Sequence, residues 1–192
     1  MGLDMYLTKR TYVKQWNHQD ASEKFSVVVK KGGKVYKPIK SERVSYVIEQ
    51  IAYWRKSNQI HNWFVKRVQE GKDECQESYV SIEKLKELRD TCKTVLNAIE
   101  LKDGVVTNGY SVKKDKTTGE IVREPNLQQG KMIVGGEDVC KALLPASSGF
   151  FFGSTDYDQW YYEDVKNTYE MLEEILAEPD ANYGDYYYQA SW

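Results

Sequence analysis

The sequence predicts an α+β fold: an antiparallel sheet built from the N- and C-terminal strands, packed with about four to five helices, one of them broken near residues 56–59. Three observations carry this. DMYLTKRTYV (4–13) is rich in β-forming residues, and the tyrosine run at 186–188 opens a second strand-like segment that closes at Trp192. Between these ends, 81–101 and 156–178 repeat apolar residues at helical spacing. Strands at both ends with helices clustered between them favour an antiparallel sheet over a parallel one.

The elements follow in order. After the first strand, FSVVVKKGGKVYKPI (25–39) reads as two strands joined across Gly32-Gly33, carrying Lys30, Lys31, Lys34, Lys37 and Lys40. Lysines of this kind protect a sheet edge. A helix is expected to open at Ser41, with Val44, Val47, Ile48, Ile51, Trp54 and Arg55 on one stripe. Beyond Lys56, a second stripe of Ile60, His61, Phe64, Val65 and Val68 points elsewhere, rotated by roughly 110–120° at about 100° per residue. This implies two helices or a sharp break, recapped at Ser57 or Asn58 and ended by Gly71.

Ser81 caps the most regular helix, whose apolar face is Ile82, Leu85, Leu88, Cys92, Val95, Leu96 and Ile99. The turn signals Asp103-Gly104, Asn108-Gly109, Thr118-Gly119 and Pro125 predict a projecting polar hairpin over 103–131, with strands near 105–113 and 120–124. A short helix near 136–144 stops at Pro145, and GFFFG (149–153) reads as a buried strand. The last helix starts with Asp156 as cap and Gln159 as its capping-box partner, buries Tyr161, Val165, Thr168, Tyr169, Leu172, Ile175 and Leu176, and ends before Pro179.

Composition bounds the rest. The 192 residues, 41% hydrophobic and 13% aromatic with fifteen Tyr, suit a single domain over 1–192 and disfavour disorder. Cys75, Cys92 and Cys140 are too dispersed for a disulfide framework or a zinc site, so no metal or cofactor is expected and a reducing cytoplasm is the natural setting. No apolar run is long enough for a membrane span, and MGLDMYL lacks the features of a signal peptide. Gly2 invites myristoylation, but Tyr6 stands where the motif needs Ser or Thr. Residues 1–72 hold 15 basic against 6 acidic residues, whereas 152–192 hold 1 against 10. Such polarity along a chain points to interaction surfaces or to attraction between its halves.

Two constellations stand out. In YWRKSNQIHNWFVKRV (53–68), Arg55 and His61 fall at core positions beside the expected break, where they could hold a small anion or nucleotide. His61 would be the acid/base group, and Trp54 or Trp63 would stack on the ligand. The plainer readings are that Arg55 reaches solvent by its stem and His61 is a hydrogen-bonded core residue. Asp4 is a candidate partner for Arg55, or a solvated strand acid. The second constellation is the acidic, aromatic segment Asp156, Asp158, Tyr162, Glu163, Asp164, Glu170 and Glu174, a candidate surface for a basic protein. Its plainer reading is a solvated helix face. No nucleotide-binding, metalloprotease or serine-hydrolase motif occurs. The pI of about 5.8 argues against direct nucleic-acid binding.

The segments MGLDMYL, YWRKSNQIHNWFV and LLPASSGFFFGSTDYD, with the closing SW, resemble a family of small proteins encoded by phages, prophages and gut bacteria. The resemblance runs over most of the chain and carries no catalytic residues over. It implies a mobile-element accessory protein of the bacterial cytoplasm that acts by binding. The sequence thus favours a non-enzymatic interaction protein, an inhibitor of a host defence or nucleic-acid-processing protein, contacting a host or phage partner through its acidic face. The alternatives are a small-ligand or enzymatic domain using Arg55 and His61, and a virion or assembly component whose oligomeric state the sequence leaves open.

Overall fold

The computed structural model describes residues 2–114, 119–149 and 152–192. Its centre is a sheet made from the two ends of the chain. Strand β1 (Asp4–Tyr12) pairs antiparallel with the last strand, β8 (Asp185–Ser191), from Asp4 opposite Ser191 to Arg10 opposite Asp185. Strict alternation turns Leu3, Met5 and Leu7 of the first segment and Tyr186, Tyr188 and Ala190 of the last into one core, leaving Tyr6, Thr8, Arg10, Tyr187 and Gln189 on the opposite face. Between β1 and β4 (Tyr46–Arg55) lies a long insertion that includes the small β2 (Lys30–Lys31) and β3 (Lys34–Val35) hairpin. With β5 (Ser78–Val80) the order is β4-β1-β8-β5, every neighbour antiparallel.

The helix expected from Ser41 does not form. A single 3₁₀ turn, Ser41–Arg43, leads into the edge strand β4. YVIEQIAYW is dense in β-branched and aromatic residues, which suit a pleated, half-buried surface. Its apparent helical spacing comes from a bulge: Leu7 faces Ala52 and Thr8 faces Gln50, so Ile51 is an extra residue that interrupts the two-residue alternation. The break near 56–59 is therefore a strand-to-helix turn. Lys56 takes a left-handed conformation (φ 62°), and Ser57 (φ −74°, ψ 71°) makes an inverse γ-turn closed by Asn58 N–H to Lys56 O at 2.8 Å. Helix α1 (Asn58–Arg67) begins there, and the chain closes after it with Gly71 N–H bonded to Val65 O.

Helix α2 (Ile82–Ala98) starts as expected, with Ser81 accepting from Lys84 N–H, and buries Leu85, Leu88, Cys92 and Val95. The hairpin strands β6 (Glu100–Lys114) and β7 (Ile121–Gly135) are longer than expected, and Thr118 lies outside the described residues. Helix α3 (Glu137–Leu143) ends before Pro145. Helix α4 (Gln159–Ala177) packs on α2 and buries Tyr161, Val165, Thr168, Leu172 and Ile175. Its cap is Asp158 rather than Asp156: the Asp158 carboxylate accepts from Trp160 N–H at 2.9 Å and Tyr161 N–H at 3.4 Å. Gln159 completes no capping box. It accepts from Lys131 N–H at 2.8 Å and ties α4 to β7. Of the strand expected at 149–153, Gly149, Phe152 and Gly153 are irregular, and Phe150 and Phe151 lie outside the described residues. Among the described residues, no helix is long and apolar enough to cross a membrane.

Candidate functional site

The turn at Lys56 sits beside the loop 145–158, and the two enclose a cleft of about 730 Å³. Arg55, Lys56, Asn58 and Gln59 supply one wall; Gly149, Phe152, Ser154 and Asp156 supply another. The β6 residues Thr107 to Tyr110 close a third side. There the strand register slips between Thr107 and Tyr110, and Gly109 takes φ 76°. A second depression of about 410 Å³ adjoins the first, with Arg55 and Asp164 lining both.

Asn58 holds the loop in place. Its amide donates to Phe152 O at 3.1 Å and Ser154 O at 2.7 Å, and its carbonyl accepts from Ser147 N–H at 2.9 Å. These bonds satisfy a buried side chain at the first position of α1 and anchor Ser147, Phe152 and Ser154 to it. Gly153 completes the fit: at φ 90°, an added Cβ would stand 3.2 Å from Lys56 Cβ. Gly153→Ala is therefore expected to cost about 1–2 kcal/mol, from left-handed strain and displacement of Lys56. Chemical denaturation checks this, and an unchanged midpoint would show that the loop yields freely.

Asp164 lies on α4 between the two depressions. Burial pushes its carboxyl up to about 6, against the pull of hydrogen bonds from Ser57 and Gln59. Ser57 makes no capping bond to its own helix, because its hydroxyl serves this carboxylate. Burial also raises the Asp158 carboxyl, opposed by the two α4 amides that it caps. The cleft thus combines two cationic side chains, a half-buried carboxyl able to exchange a proton near neutrality, and the exposed rings of Tyr110 (55%) and Trp160 (43%). Among the described residues, no group of three or more His, Cys, Asp or Glu could hold a metal ion.

The expected Arg55–His61 pair is not assembled. Arg55 occupies the end of an edge strand with its side chain largely in solvent, 3.9 Å from Asp4, whose carboxylate accepts from the Tyr53 hydroxyl. His61 lies one turn into α1, facing the sheet and buried. Its Nε2 is 3.0 Å from Asp73 Oδ2, and its Nδ1 is 2.8 Å from the Tyr188 hydroxyl. A carboxylate only accepts, so in the neutral ring Nε2–H donates to Asp73 and Nδ1 accepts from Tyr188. The indole of Trp192 donates to the other Asp73 oxygen at 3.1 Å, so the group ties the middle of β8 and the residue that follows it to α1. Trp54 and Trp63 are also buried, and Trp54 Nε1–H donates to Thr168 at 2.9 Å, so neither ring is free to stack on a ligand.

The acidic segment divides. Glu163, Glu170 and Glu174 are exposed on α4, with Tyr162 half-buried beside Glu163. Asp158 is a helix cap and Asp164 faces the cleft, so these two leave the exposed face, and Asp156 lies at the rim of the cleft. Sequence reasoning missed Lys56, Asn58, Tyr110 and Trp160. Asn58 had a signal, a polar residue at a helix start within the expected break; the two rings had none, because they meet the site only through the hairpin and α4. The chain matches no protein-family model, no curated protein and no solved structure.

Proposed function

We propose that this protein is a small-ligand-binding domain whose site is the cleft between the Lys56 turn and loop 145–158, and that its ligand is of the nucleotide class. One observation supports the reading: Arg55, Lys56, Asn58 and Gln59 face Gly149, Phe152, Ser154 and Asp156, distant in sequence, across one cleft joined by the Asn58 bonds. The lining chemistry fits such a ligand. Arg55 and Lys56 suit a phosphate, Tyr110 and Trp160 offer faces for a base, and Asp164 and Gln59 suit exocyclic N–H and ring nitrogen groups. Titration calorimetry with a panel of mononucleotides tests this. At least one is expected to bind, and Arg55→Ala to weaken it by roughly tenfold to a hundredfold, the loss of one charge-assisted contact. Equal affinity in wild type and Arg55→Ala would remove Arg55 from the site.

A second reading is favoured by a separate observation: Glu163 and Glu174 are exposed and form no ion pair among the described residues. An accessory protein that inhibits a host factor by presenting this face to a basic surface would use them. Reversing Glu163, Glu170 and Glu174 to Lys is then expected to abolish salt-sensitive capture of a partner from bacterial lysate. Capture that survives the reversal would assign the contact to another surface.

A further inference from the structure

The outer face of the four-stranded sheet leaves Tyr12, Tyr46, Tyr53 and Tyr79 exposed among the described residues, and its side chains are not those of an idle surface. Tyrosines lie across adjacent strands in three stations. Tyr12 and Tyr46 meet at 5.2 Å between ring centres, Tyr79 and Tyr187 at 5.9 Å, and Tyr6 and Tyr53 at 5.4 Å. The Arg10 guanidinium, ion-paired with Glu77, lies 4.2 Å over the Tyr187 ring and extends the middle station with a second planar group. Along β1 the stations are spaced by about 13 Å and about 7 Å at roughly 3.3 Å per residue. An extended polymer with planar units could visit all three.

The insertion between β1 and β4 leaves from the Tyr12 end of this face. Val13 N–H bonds Ser45 O at 2.9 Å across its base, and Trp16 Nε1–H donates to the Tyr12 hydroxyl at 2.8 Å. Residues 13–45 hold 8 basic side chains against 3 acidic, a surplus of +5. Lys24, Lys30, Lys31, Lys34, Lys37 and Lys40 are exposed, and none forms an ion pair among the described residues. Trp16 and Phe25 are exposed among them. If the lysines served only to protect a sheet edge, they would not need a train of exposed rings beside them. Unpaired cations, which attract phosphates, run toward rings that meet edge-on or tilted and leave Tyr12, Tyr46, Tyr53 and Tyr79 exposed to stack on bases of any sequence.

We infer that the tyrosine-lined sheet face and the basic 13–45 insertion together form a binding surface for single-stranded nucleic acid. This rests on different residues from the nucleotide cleft and stands or falls apart from it. The acidic pI does not oppose it, because the surplus of negative charge lies in 152–192, on α4 and the chain end, whereas the insertion is locally positive. The rings supply affinity without sequence preference, so discrimination is expected between single strand and duplex, whose bases are not available to stack.

The test is fluorescence anisotropy of a labelled oligothymidylate, with a duplex of equal length as control, over a range of salt concentrations. The single strand is expected to bind more tightly than the duplex, with affinity falling linearly on a log–log salt plot. Tyr46→Ala and Tyr79→Ala, both at exposed rings outside the cleft, are each expected to weaken binding roughly tenfold and leave the salt slope unchanged. Reversing Lys30, Lys31 and Lys34 to Glu should reduce that slope. Three outcomes would overturn the inference: no binding at low salt, equal affinity for single strand and duplex, or tyrosine variants that bind as wild type does. The last, with a salt-sensitive affinity, would assign binding to the lysines alone. Light scattering that shows a dimer abolished by Tyr46→Ala would instead assign the face to a second copy of this chain.

Discussion

His61→Ala is expected to lower the stability of the protein by about 3 kcal/mol, the sum of a buried cavity and two orphaned hydrogen-bonding partners. The imidazole is buried with both nitrogens used, and it stands edge-on to Phe152 at 5.1 Å between ring centres. Its removal leaves the Tyr188 hydroxyl without its partner inside a core where Tyr188 stacks on Phe64 at 3.9 Å. For a chain of this size the melting temperature is expected to fall by roughly 10 °C. Tyr188→Phe should cost less, and the double variant less than the sum of the two, because both remove the same bond. Calorimetry of the four proteins checks this. A His61→Ala protein as stable as wild type would show that the residue is not the structural pin described above, and would reopen the acid/base reading.

Asp164→Asn is expected to act in the opposite direction. The folded carboxyl titrates at about 6, above the unfolded value near 3.9, so the fold favours its protonated form. The stability that this group contributes is therefore fully present below about pH 4 and is lost as the pH rises through 6. At pH 8 the wild type carries a poorly solvated charge that Asn lacks. Asn keeps one acceptor oxygen, which can still take the bond from Gln59. The variant should then be about 1 kcal/mol more stable at pH 8, discounted for partial exposure from the full shift, and equal to wild type near pH 4. Its ligand binding should lose the pH dependence centred near 6 that the wild type is expected to show. Denaturation at the two pH values decides the first part: a variant less stable than wild type at pH 8 would mean that the hydrogen bonds outweigh the burial.

Much of the architecture was legible because it is written in periodic patterns. Strand β1, helix α2 and the buried face of α4 each follow one period from end to end, and their caps or breakers stand at the boundaries. Strand β4 was misread because the bulge at Ile51 sets the inward Ile51 and Trp54 three residues apart, and the exposed Ile48 happens to continue that spacing, which imitates a helix. The same error placed Arg55 on a helix with an inward face, whereas His61 does lie on the inward face of a helix, α1. The discontinuity at 56–59 was visible and does mark one wall of the cleft: a helix restarts at Asn58 as expected, but it follows a strand through a left-handed lysine and a γ-turn, and Ser57 at its N-cap makes no side-chain cap bond. The Asp164 carboxyl was visible only as one acid among many. Its distinction comes from Ser57 and Gln59, more than a hundred residues earlier, and no spacing rule reaches that far.

The cleft reading also explains why the Lys56 turn is strained. A left-handed non-glycine residue costs of order 1 kcal/mol or more, and Asn58 and Gly153 hold it against the loop. That arrangement makes sense if the turn presents Arg55 and Lys56 to something in the cleft. The direct measurement is amide chemical-shift mapping of the isotope-labelled protein during titration with the tightest-binding mononucleotide. The account predicts shifts clustered at residues 55–59, 107–110, 152–158 and 164, the turn, bulge, loop and carboxyl that line the cleft. Shifts clustered at 61, 73 and 188 or along the outer sheet face, with none around Lys56, would contradict it.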